Sequence, residues 1–343
     1  MIEPLQIGKY KVGTEYLPLV VAEISGNHGG KIENAHRLID EISRVGGTAV
    51  KLQTYTADML TIDCDKPDFI IANKRSPWHG RKLYDLYREA HTPLEWHEEL
   101  FAHARELGLL CFSAPFHPSA VEFLEKLDCP AYKIASFENN YIDLLKVAAQ
   151  TGKPIIVSTG ASTKEMITDA VIAVRRIHRH LMLLKCVSNY PANASDTNLK
   201  TLKDMNLTYN CQVGLSDHSL GMGVACAAVT QGASLIEKHV ALDDVDSVDS
   251  GFSLTTRDFG QFVLEVNRAW RALGKVDYAS AGELQFKRSI YVVKDIQAGE
   301  TFTTDNIRVI RPGYGLQPKL LSEILGKPAT CFIEAGTPLK NQF

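Results

Sequence analysis

The stretch QVGLSDHSLGMGVACAAVTQGASLIEKH at residues 212–239 decides the fold. It holds two short aliphatic segments, 212–215 and 234–238, on either side of a segment, 221–230, with the apolar spacing of a helix. A short apolar strand, an intervening helix and a second apolar strand are typical of a parallel β-α-β unit. The stretch therefore predicts two neighbouring parallel strands whose carboxyl ends carry polar side chains.

The same alternation extends over most of the chain. Strands are predicted at 17–24, 49–53, 109–113, 131–134, 154–158, 181–186, 212–215 and 234–238. Helices are predicted between and after them, at 32–45, 93–107, 118–127, 142–150, 163–178, 199–206, 221–230 and 256–273. Eight such repeats over about 270 residues predict a closed (β/α)8 TIM barrel, an α/β fold. No GxGxxG motif follows the first strand, which disfavours a dinucleotide-binding sheet.

Two regions depart from the repeat. About 55 residues separate the second and third predicted strands, so residues 57–92 are predicted to form a long loop over the C-terminal mouth of the barrel, where loops are often functional. After Gly274 the pattern changes to short strands with turns. We therefore expect a barrel domain at 1–280 and a small second domain at 281–343.

Composition limits the function classes. Apolar residues make up 45% and charged residues 22%, as in ordinary globular proteins. The formal net charge of -3 offers no broad positive field for nucleic acid. No long apolar run or secretory signal pattern is present, so we expect no membrane span and a cytoplasmic location. The seven cysteines are scattered without a CxxC pair, and we expect them to be free thiols rather than disulfides or zinc ligands.

His218 and His239 are candidate ligands of a divalent metal ion. They lie 21 residues apart (239 minus 218), and each follows one of two consecutive predicted strands. Neighbouring strands are about 5 Å apart, so both imidazoles could reach one ion at about 2.0 to 2.2 Å. Mn, Mg, Co or Zn would suit such a ligand set. The alternative is that each histidine only forms a hydrogen bond to a loop.

Polar residues are concentrated at the predicted strand ends, where the catalytic residues of a parallel barrel lie. The set includes Glu23, Lys51, Gln53, Ser113, Lys133, Ser136, Glu138, Ser158, Ser188, Tyr190, Ser216, Asp217 and Glu237. Buried ammonium groups require anionic partners. The lysines, with the serine hydroxyls, therefore indicate a small substrate with several negative charges, such as a phosphate and a carboxylate. The alternative is an internal ion-pair network with the glutamates.

Glu23 is a candidate acid, base or further metal ligand because it ends the first predicted strand, which closes the barrel beside the last one. An equally simple interpretation makes it the ion-pair partner of Lys51. No GxxxxGK[ST] loop and no GxSxG motif is present, which disfavours nucleotide hydrolysis and acyl transfer by a serine hydrolase.

Seven motifs resemble those of the sialic acid synthase family. They are AEISGNH at 22–28, KLQT at 51–54, FSAPF at 112–116, YKIAS at 132–136, VSTG at 157–160, GLSDHS at 214–219 and IEKH at 236–239. The tail, with DIQAGE at 295–300 and RPGYG at 311–315, is similar to the antifreeze-like SAF domain of that family. The resemblance covers nearly the whole chain and implies a TIM barrel followed by a SAF domain.

The resemblance implies that the protein condenses phosphoenolpyruvate with an N-acetylated amino sugar in its open aldehyde form. His218 and His239 would hold a divalent metal, Mn, Mg or Co, that polarises the aldehyde. Glu23 would move a proton or steer the water that adds at C2. Arg311 would reach the N-acetyl group across a domain-swapped homodimer. The resemblance assigns substrate binding to Lys51, Gln53, Ser113, Lys133, Ser136, Ser158, Ser188, Tyr190, Ser216, Asp217, Glu237 and Arg311.

The inserted loop resembles the pseudaminic acid branch of the family. The resemblance rests on DFII at 68–71, Trp78, the segment 81–87, HTP at 91–93 and WH at 96–97. An aromatic, apolar lid suits a deoxy sugar with a methyl and two acetamido groups, 2,4-diacetamido-2,4,6-trideoxy-altrose. The alternatives are an N-acetylneuraminate or legionaminate synthase, a metal-dependent aldolase and a non-catalytic sugar-binding or ice-binding protein.

Two positions depart from the family pattern. Ala114 stands where the family usually has Thr or Ser, and Ser188 stands where Asn is frequent. The first change removes a hydroxyl that could bind phosphate, so we expect the phosphate contacts to be distributed differently.

Overall fold

The computed structural model describes residues 2–74, 76–278 and 282–340. The chain divides into two compact units, Met1–Gly274 and Lys275–Phe343. The expected domain boundary between residues 280 and 281 lies outside the described residues. None of the helices in the described part of the chain is long and apolar enough to cross a membrane.

The strands of the first unit form a small hairpin and a closed barrel. In chain order they are β1 (Leu5–Ile7), β2 (Tyr10–Val12), β3 (Leu19–Glu23), β4 (Ala49–Thr54), β5 (Leu110–Pro115), β6 (Tyr132–Ile134), β7 (Ile155–Ser158), β8 (Leu181–Cys186), β9 (Gln212–Asp217), β10 (Leu235–Ala241) and β11 (Leu254–Thr255). Strands β3 to β10 are parallel neighbours in chain order, and β10 also pairs with β3. The expected eight-stranded TIM barrel is therefore confirmed.

Helices follow the barrel strands, and those outside the insertion between β4 and β5 were predicted from the spacing of apolar residues. They are α1 (Ile32–Arg44), α2 (Ala57–Leu60), α3 (Leu83–Ala90), α4 (His97–Glu106), α5 (Pro118–Glu125), α6 (Ile142–Gln150), α7 (Lys164–Arg175), α8 (Lys200–Tyr209), α9 (Gly223–Thr230) and α10 (Thr256–Leu273). Helix α1 shows why they form: Ala35, Leu38, Ile39 and Ile42 are its buried residues, and their spacing places them on one helical face against the strands.

The insertion between β4 and β5 contains α2 and α3, so the expectation of a long loop was only partly correct. Trp78, between these helices, donates its indole N–H to the carbonyl oxygen of Val248 at 2.8 Å. Because Val248 lies in the segment after β10, the bond ties the insertion to the carboxyl ends of the strands. The insertion thus contributes to the mouth of the barrel.

The hairpin of β1 and β2 was not predicted from the sequence. Its strands are only three residues long, too short to show a clear alternation of apolar and polar residues. Leu5, Ile7 and Val12 are nevertheless buried in the core of the barrel unit.

The second unit has its own small core. Two antiparallel strands, β12 (Ser289–Val292) and β13 (Ile307–Ile310), and a short helix, α11 (Leu321–Ile324), provide its regular structure. Ile290, Phe302 and Leu339 are among the side chains buried in this core.

Candidate functional site

Four charged side chains meet inside the barrel near the carboxyl ends of its strands. The Lys51 ammonium contacts the Glu23 carboxylate and lies 3.7 Å from Oε2 of Glu237. Lys133 Nζ lies 3.8 Å from Oε1 of Glu237. All four residues are buried. Two positive and two negative groups balance here, and loss of one partner would leave an uncompensated buried charge.

The two carboxylates of this group have different proton affinities. Burial, together with the nearby Glu237, raises the pKa of Glu23 despite the attraction of Lys51. Burial opposes the charge of Glu237 as well, but Lys133 and Lys51 outweigh it and lower the pKa of Glu237. Carboxylates whose pKa values are pushed apart are typical of an acid–base pair. Glu23 is therefore the group suited to accept and release a proton.

The pKa values of the two lysines are shifted by the same neighbouring groups. Burial lowers the pKa of Lys133, with Glu237 opposing and the positive charge of Lys51 adding to the decrease. For Lys51, burial is outweighed by Glu23 and Glu237, which raise its pKa. The internal ion-pair network expected as the alternative to anion binding is thus present in the barrel. The two interpretations are compatible, because an anionic ligand can replace a carboxylate partner.

A small polar cradle lies beside this group. The Gly160 backbone N–H donates to Ser136 Oγ at 3.0 Å, and Cys186 Sγ is 3.7 Å from Ser188 Oγ. A Cβ at Gly160 would lie 2.2 Å from Ser188 Oγ and 2.8 Å from Ser136 Oγ, so a larger residue at this position would displace these hydroxyls. Ser158 Oγ is buried and has no hydrogen-bond partner among the described residues. These hydroxyls can donate to an anionic ligand.

His218, directly after β9, and His239, within β10, are neighbours near the carboxyl ends of these strands. Their ring centroids are 5.3 Å apart. His218 Nδ1 lies 3.0 Å from the Val187 carbonyl oxygen, an acceptor that leaves Nε2 as the ligating nitrogen. Burial, and then the neighbouring His218, lower the pKa of His239 well below its usual range. A neutral imidazole is the form that binds metal.

This pair fits a divalent metal ion. His239 Nδ1 is buried and has no hydrogen-bond partner among the described residues. Within the described ranges no cluster of three or more His, Cys, Asp or Glu could hold an ion. Two imidazoles would therefore be the protein ligands, and water or substrate oxygens would complete the coordination.

Cys186 lies beside the pair. Its Sγ is 3.8 Å from His218 Nδ1. Burial opposes ionisation of the thiol, but His218 outweighs it and lowers the pKa of Cys186 to about 7. The thiol in turn raises the pKa of His218 against the effect of burial. From the sequence, this cysteine was expected only to be a free thiol, like the other six.

Aromatic side chains line the site above the histidines. The Tyr190 ring centroid is 4.3 Å from that of His218, and the Phe252 ring is 5.1 Å from His239. The Trp78 ring is 5.6 Å from Tyr190. The insertion and the segment after β10 thus supply an apolar wall next to the polar group, as in pockets that bind small molecules.

Comparison with known proteins assigns the chain to a family. The NeuB family model matches residues 38–278, and the SAF domain model matches residues 287–342. The chain belongs to the NeuB family. These matches confirm the resemblance to sialic acid synthases and the presence of a SAF domain.

Relatives of this NeuB protein are similar along nearly their whole length. It is 43% identical to the pseudaminic acid synthase of Campylobacter jejuni (strain 81-176) over 98% of each chain. It is 43% identical to the pseudaminic acid synthase of Helicobacter pylori over 94% of this chain and 96% of that one. Identity to the N,N'-diacetyllegionaminic acid synthase of Legionella pneumophila is 30%, over 95% and 94% of the chains.

A solved structure of similar fold is the spore coat polysaccharide biosynthesis protein spsE of Bacillus subtilis. The TM-score is 0.69 at 29% identity, with 98% of this chain and 97% of that chain covered. The likeness thus includes both units of the NeuB protein.

Ser113 lies outside the site of this NeuB protein. In the register of β4 and β5, Gln53 is opposite Ala114, so the inward-facing residue of β5 is Ala114. Ser113 Oγ instead bonds to Thr54 Oγ1 at 2.6 Å, on the outer face. The expectation that Ser113 contacts substrate is corrected by this register.

Asp217 also faces outward. Its carboxylate forms an ion pair with Lys238 at 2.9 Å, whereas its neighbour Ser216 donates to Glu237 Oε1 at 3.0 Å inside the barrel. Side chains alternate along a strand, so Ser216 and Asp217 cannot both face the site. The expected substrate contact of Asp217 is therefore corrected as well.

The remaining predicted residues are placed as follows. Gln53 is half-buried on the inward face of β4. Arg311 follows β13 in the second unit and is exposed. The expected contact between Arg311 and a substrate stays a prediction.

Two acidic residues near the site were not among the substrate-binding residues predicted from the sequence. Asp249 is buried, accepts a hydrogen bond from Ser25, and has its pKa raised by burial. It lies in the acidic segment 243–250, where spacing does not distinguish it from its neighbours. Burial raises the pKa of Glu138 to about 7 despite Lys133, and its Oε2 has no hydrogen-bond partner among the described residues. Both could bind polar groups of a substrate.

Proposed function

We propose that this protein condenses phosphoenolpyruvate with 2,4-diacetamido-2,4,6-trideoxy-β-L-altropyranose and water to give pseudaminate and phosphate. The observation that carries the proposal is 43% identity to proteins named pseudaminic acid synthase over 98% of both chains. Identity to relatives named for the legionaminic product is lower, at about 30%. The reaction is a transfer of the enolpyruvyl carbons to an aldehyde, and the enzyme is a transferase.

The buried lysines and the neighbouring serine hydroxyls would bind phosphoenolpyruvate. Lys51 and Lys133 are buried ammonium groups at strand ends, and the hydroxyls of Ser136, Ser158 and Ser188 lie nearby. We assign the phosphate and carboxylate of phosphoenolpyruvate to these donors. Hydrogen bonds from ammonium groups to a phosphate or carboxylate are charge-assisted, like the internal ion pairs that they would replace, so the ligand would supply bonds of the same class.

His218 and His239 would hold a divalent ion, Mn, Mg or Co. Such an ion, when bound, acts as a Lewis acid that polarises the sugar aldehyde toward attack by C3 of phosphoenolpyruvate. The contribution of the protein itself is to orient the His218 ring and to keep His239 uncharged. Val187 accepts the His218 Nδ1–H, and burial keeps His239 neutral.

Glu23 would accept a proton from the water that adds at C2 of the enolpyruvyl group. The addition gives a tetrahedral carbon that carries both the new hydroxyl and the phosphate. Breaking the C2–O bond then releases phosphate and leaves the 2-keto acid. The raised pKa of Glu23 favours acceptance of this proton. Its transfer to the oxygen of the former aldehyde would complete the new hydroxyl group.

The aromatic wall would accommodate the sugar. Trp78, Tyr190 and Phe252 offer apolar faces suited to the methyl carbon and to acetamido methyl groups.

We also propose a homodimer in which the SAF domain of one subunit contributes its Arg311 to the barrel of the other. The cytoplasmic location stays a prediction.

The proposal is tested by phosphate release from phosphoenolpyruvate with different sugars. We expect kcat/KM with the altrose-configured sugar to exceed that with N-acetylmannosamine or the legionaminic precursor by about 10²-fold or more, because mismatched polar groups in a pocket cost this much. Equal or faster turnover of another sugar would contradict the proposed substrate and would assign the protein to another branch of the family. Turnover of pyruvate without phosphate release would indicate an aldolase, and sugar binding without turnover would indicate a binding protein.

A further inference from the structure

We propose that the buried ion pair of Lys238 and Asp217, on the outer face of the barrel, positions the two histidines. The inference rests on the proposed metal-binding role of His218 and His239. It gives Asp217 a role different from the substrate contact expected from the sequence. Neither Lys238 nor Asp217 would touch substrate or metal, so both are positioning residues.

The pair is fully enclosed. The two side chains are each 1% exposed, and Nζ lies 2.9 Å from Oδ2 of Asp217. On the same outer side, the Lys238 ammonium lies 5.9 Å from the ring centroid of Phe262 in α10. The charges therefore interact in a dry layer between sheet and helix, where an ion pair is strong and also costly to desolvate.

The location along the strands links the pair to the histidines. Asp217 and Lys238 are directly opposite one another and form the last pairing between β9 and β10. His239 is the next residue of β10, and His218 directly follows β9. Because side chains alternate, the ion pair faces the helices while the rings face the barrel mouth. The ion pair is thus the last side-chain contact between β9 and β10 before the two histidines.

The same two charged groups also hold the backbone around His218. Oδ1 of Asp217 accepts hydrogen bonds from the Ser219 backbone N–H at 2.9 Å and from its hydroxyl at 2.6 Å. The Lys238 ammonium donates to the Ser219 carbonyl oxygen. The residues before and after His218 are therefore fixed by one buried carboxylate and one buried ammonium group.

Stability alone gives a weak reason for this arrangement. Replacing a buried ion pair by neutral side chains of similar volume is often neutral for folding or even stabilising. Partners behind metal ligands, in contrast, commonly change metal affinity by about 10- to 100-fold when removed. A neutral replacement should therefore distinguish a role in stability from a role in positioning. The fold would be kept, whereas the two imidazole rings would be less well aligned for metal binding.

The experiment measures Mn²⁺ binding to the full-length, metal-stripped protein by the loss of the free-ion electron paramagnetic resonance signal. For the Asp217→Asn/Lys238→Met double variant we expect about 10-fold weaker Mn²⁺ binding or more, with a near-native circular dichroism spectrum. Ser219→Ala, a milder change that removes one bond to Asp217, should weaken binding about 3-fold, within the range of a single hydrogen bond. It keeps the inference testable if the double variant fails to fold.

The matched control is Glu125→Gln/Lys153→Met, which removes another ion pair of the barrel, 2.6 Å long, near the amino end of β7. It should bind Mn²⁺ like the wild type. Unchanged Mn²⁺ affinity in a folded double variant, or in Ser219→Ala if the double variant does not fold, would overturn the positioning role and leave the metal site standing. Unchanged Mn²⁺ binding in His239→Ala would instead remove the proposed metal site, and the inference with it.

Discussion

Replacement of Glu23 by Gln is expected to lower kcat by about 10²- to 10⁴-fold, the usual contribution of a general acid or base. Gln has nearly the same shape as Glu but cannot accept the proton of the water that adds at C2. The Lys51 ammonium would keep Glu237 as a carboxylate partner, 3.7 Å away. Because Glu237 is also the partner of Lys133, one buried positive charge would be uncompensated, and the melting temperature is therefore measured in parallel. The measurement is the initial rate of phosphate release from phosphoenolpyruvate at saturating sugar.

Glu99→Gln provides the control for this substitution. Glu99 is 65% exposed and pairs with His36 on the surface, so its loss should leave kcat unchanged. A Glu23→Gln enzyme with a kcat within about 3-fold of wild type would exclude proton transfer by Glu23, since general acid–base catalysis contributes far more than that. Glu23 would then serve only as an ion-pair partner of Lys51.

Replacement of His239 by Ala is expected to abolish the stimulation of turnover by divalent metal, with a loss of about 10³-fold or more. The estimate follows from several kcal/mol of Lewis-acid stabilisation, at 1.36 kcal/mol for each factor of ten. Turnover is measured with and without added Mn²⁺ after treatment with a chelator. The ring is large and buried, so the melting temperature is measured in parallel.

His103→Ala is the matched histidine control. His103 lies on α4 and pairs with Asp40 near the surface, away from the strand ends. Its variant should keep wild-type metal stimulation. Full activity of the wild-type enzyme in excess chelator would contradict the metal role of His239, whatever the behaviour of the variants.

The sequence was sufficient to predict the barrel because buried parallel strands appear as continuous apolar runs. Each of the eight predicted strands overlaps an observed one. The two histidines could be paired from their spacing alone, since consecutive strands of a barrel are neighbours. The contact of Lys51 with Glu237, in contrast, spans one intervening strand inside the closed barrel, so the sequence could offer the ion-pair network only as an alternative to anion binding.

The inward or outward orientation of polar residues was less predictable. A shift of one residue moves a side chain to the opposite face of a strand. In FSAP at 112–115, the sequence does not show whether Ser113 or Ala114 faces the interior. The register with β4 decides for Ala114. Asp217 was misplaced for the same reason, because the polar run from Ser216 to His218 contains residues of both faces.

In the proposed reaction a carbon–carbon bond forms, and the C2–O bond of phosphoenolpyruvate breaks. The most direct measurement is turnover in ¹⁸O-labelled water, followed by mass spectrometry of both products. We expect the label in the C2 oxygen of the nine-carbon acid and none in the released phosphate. Label in the phosphate would show attack of water at phosphorus and would contradict the proposed reaction.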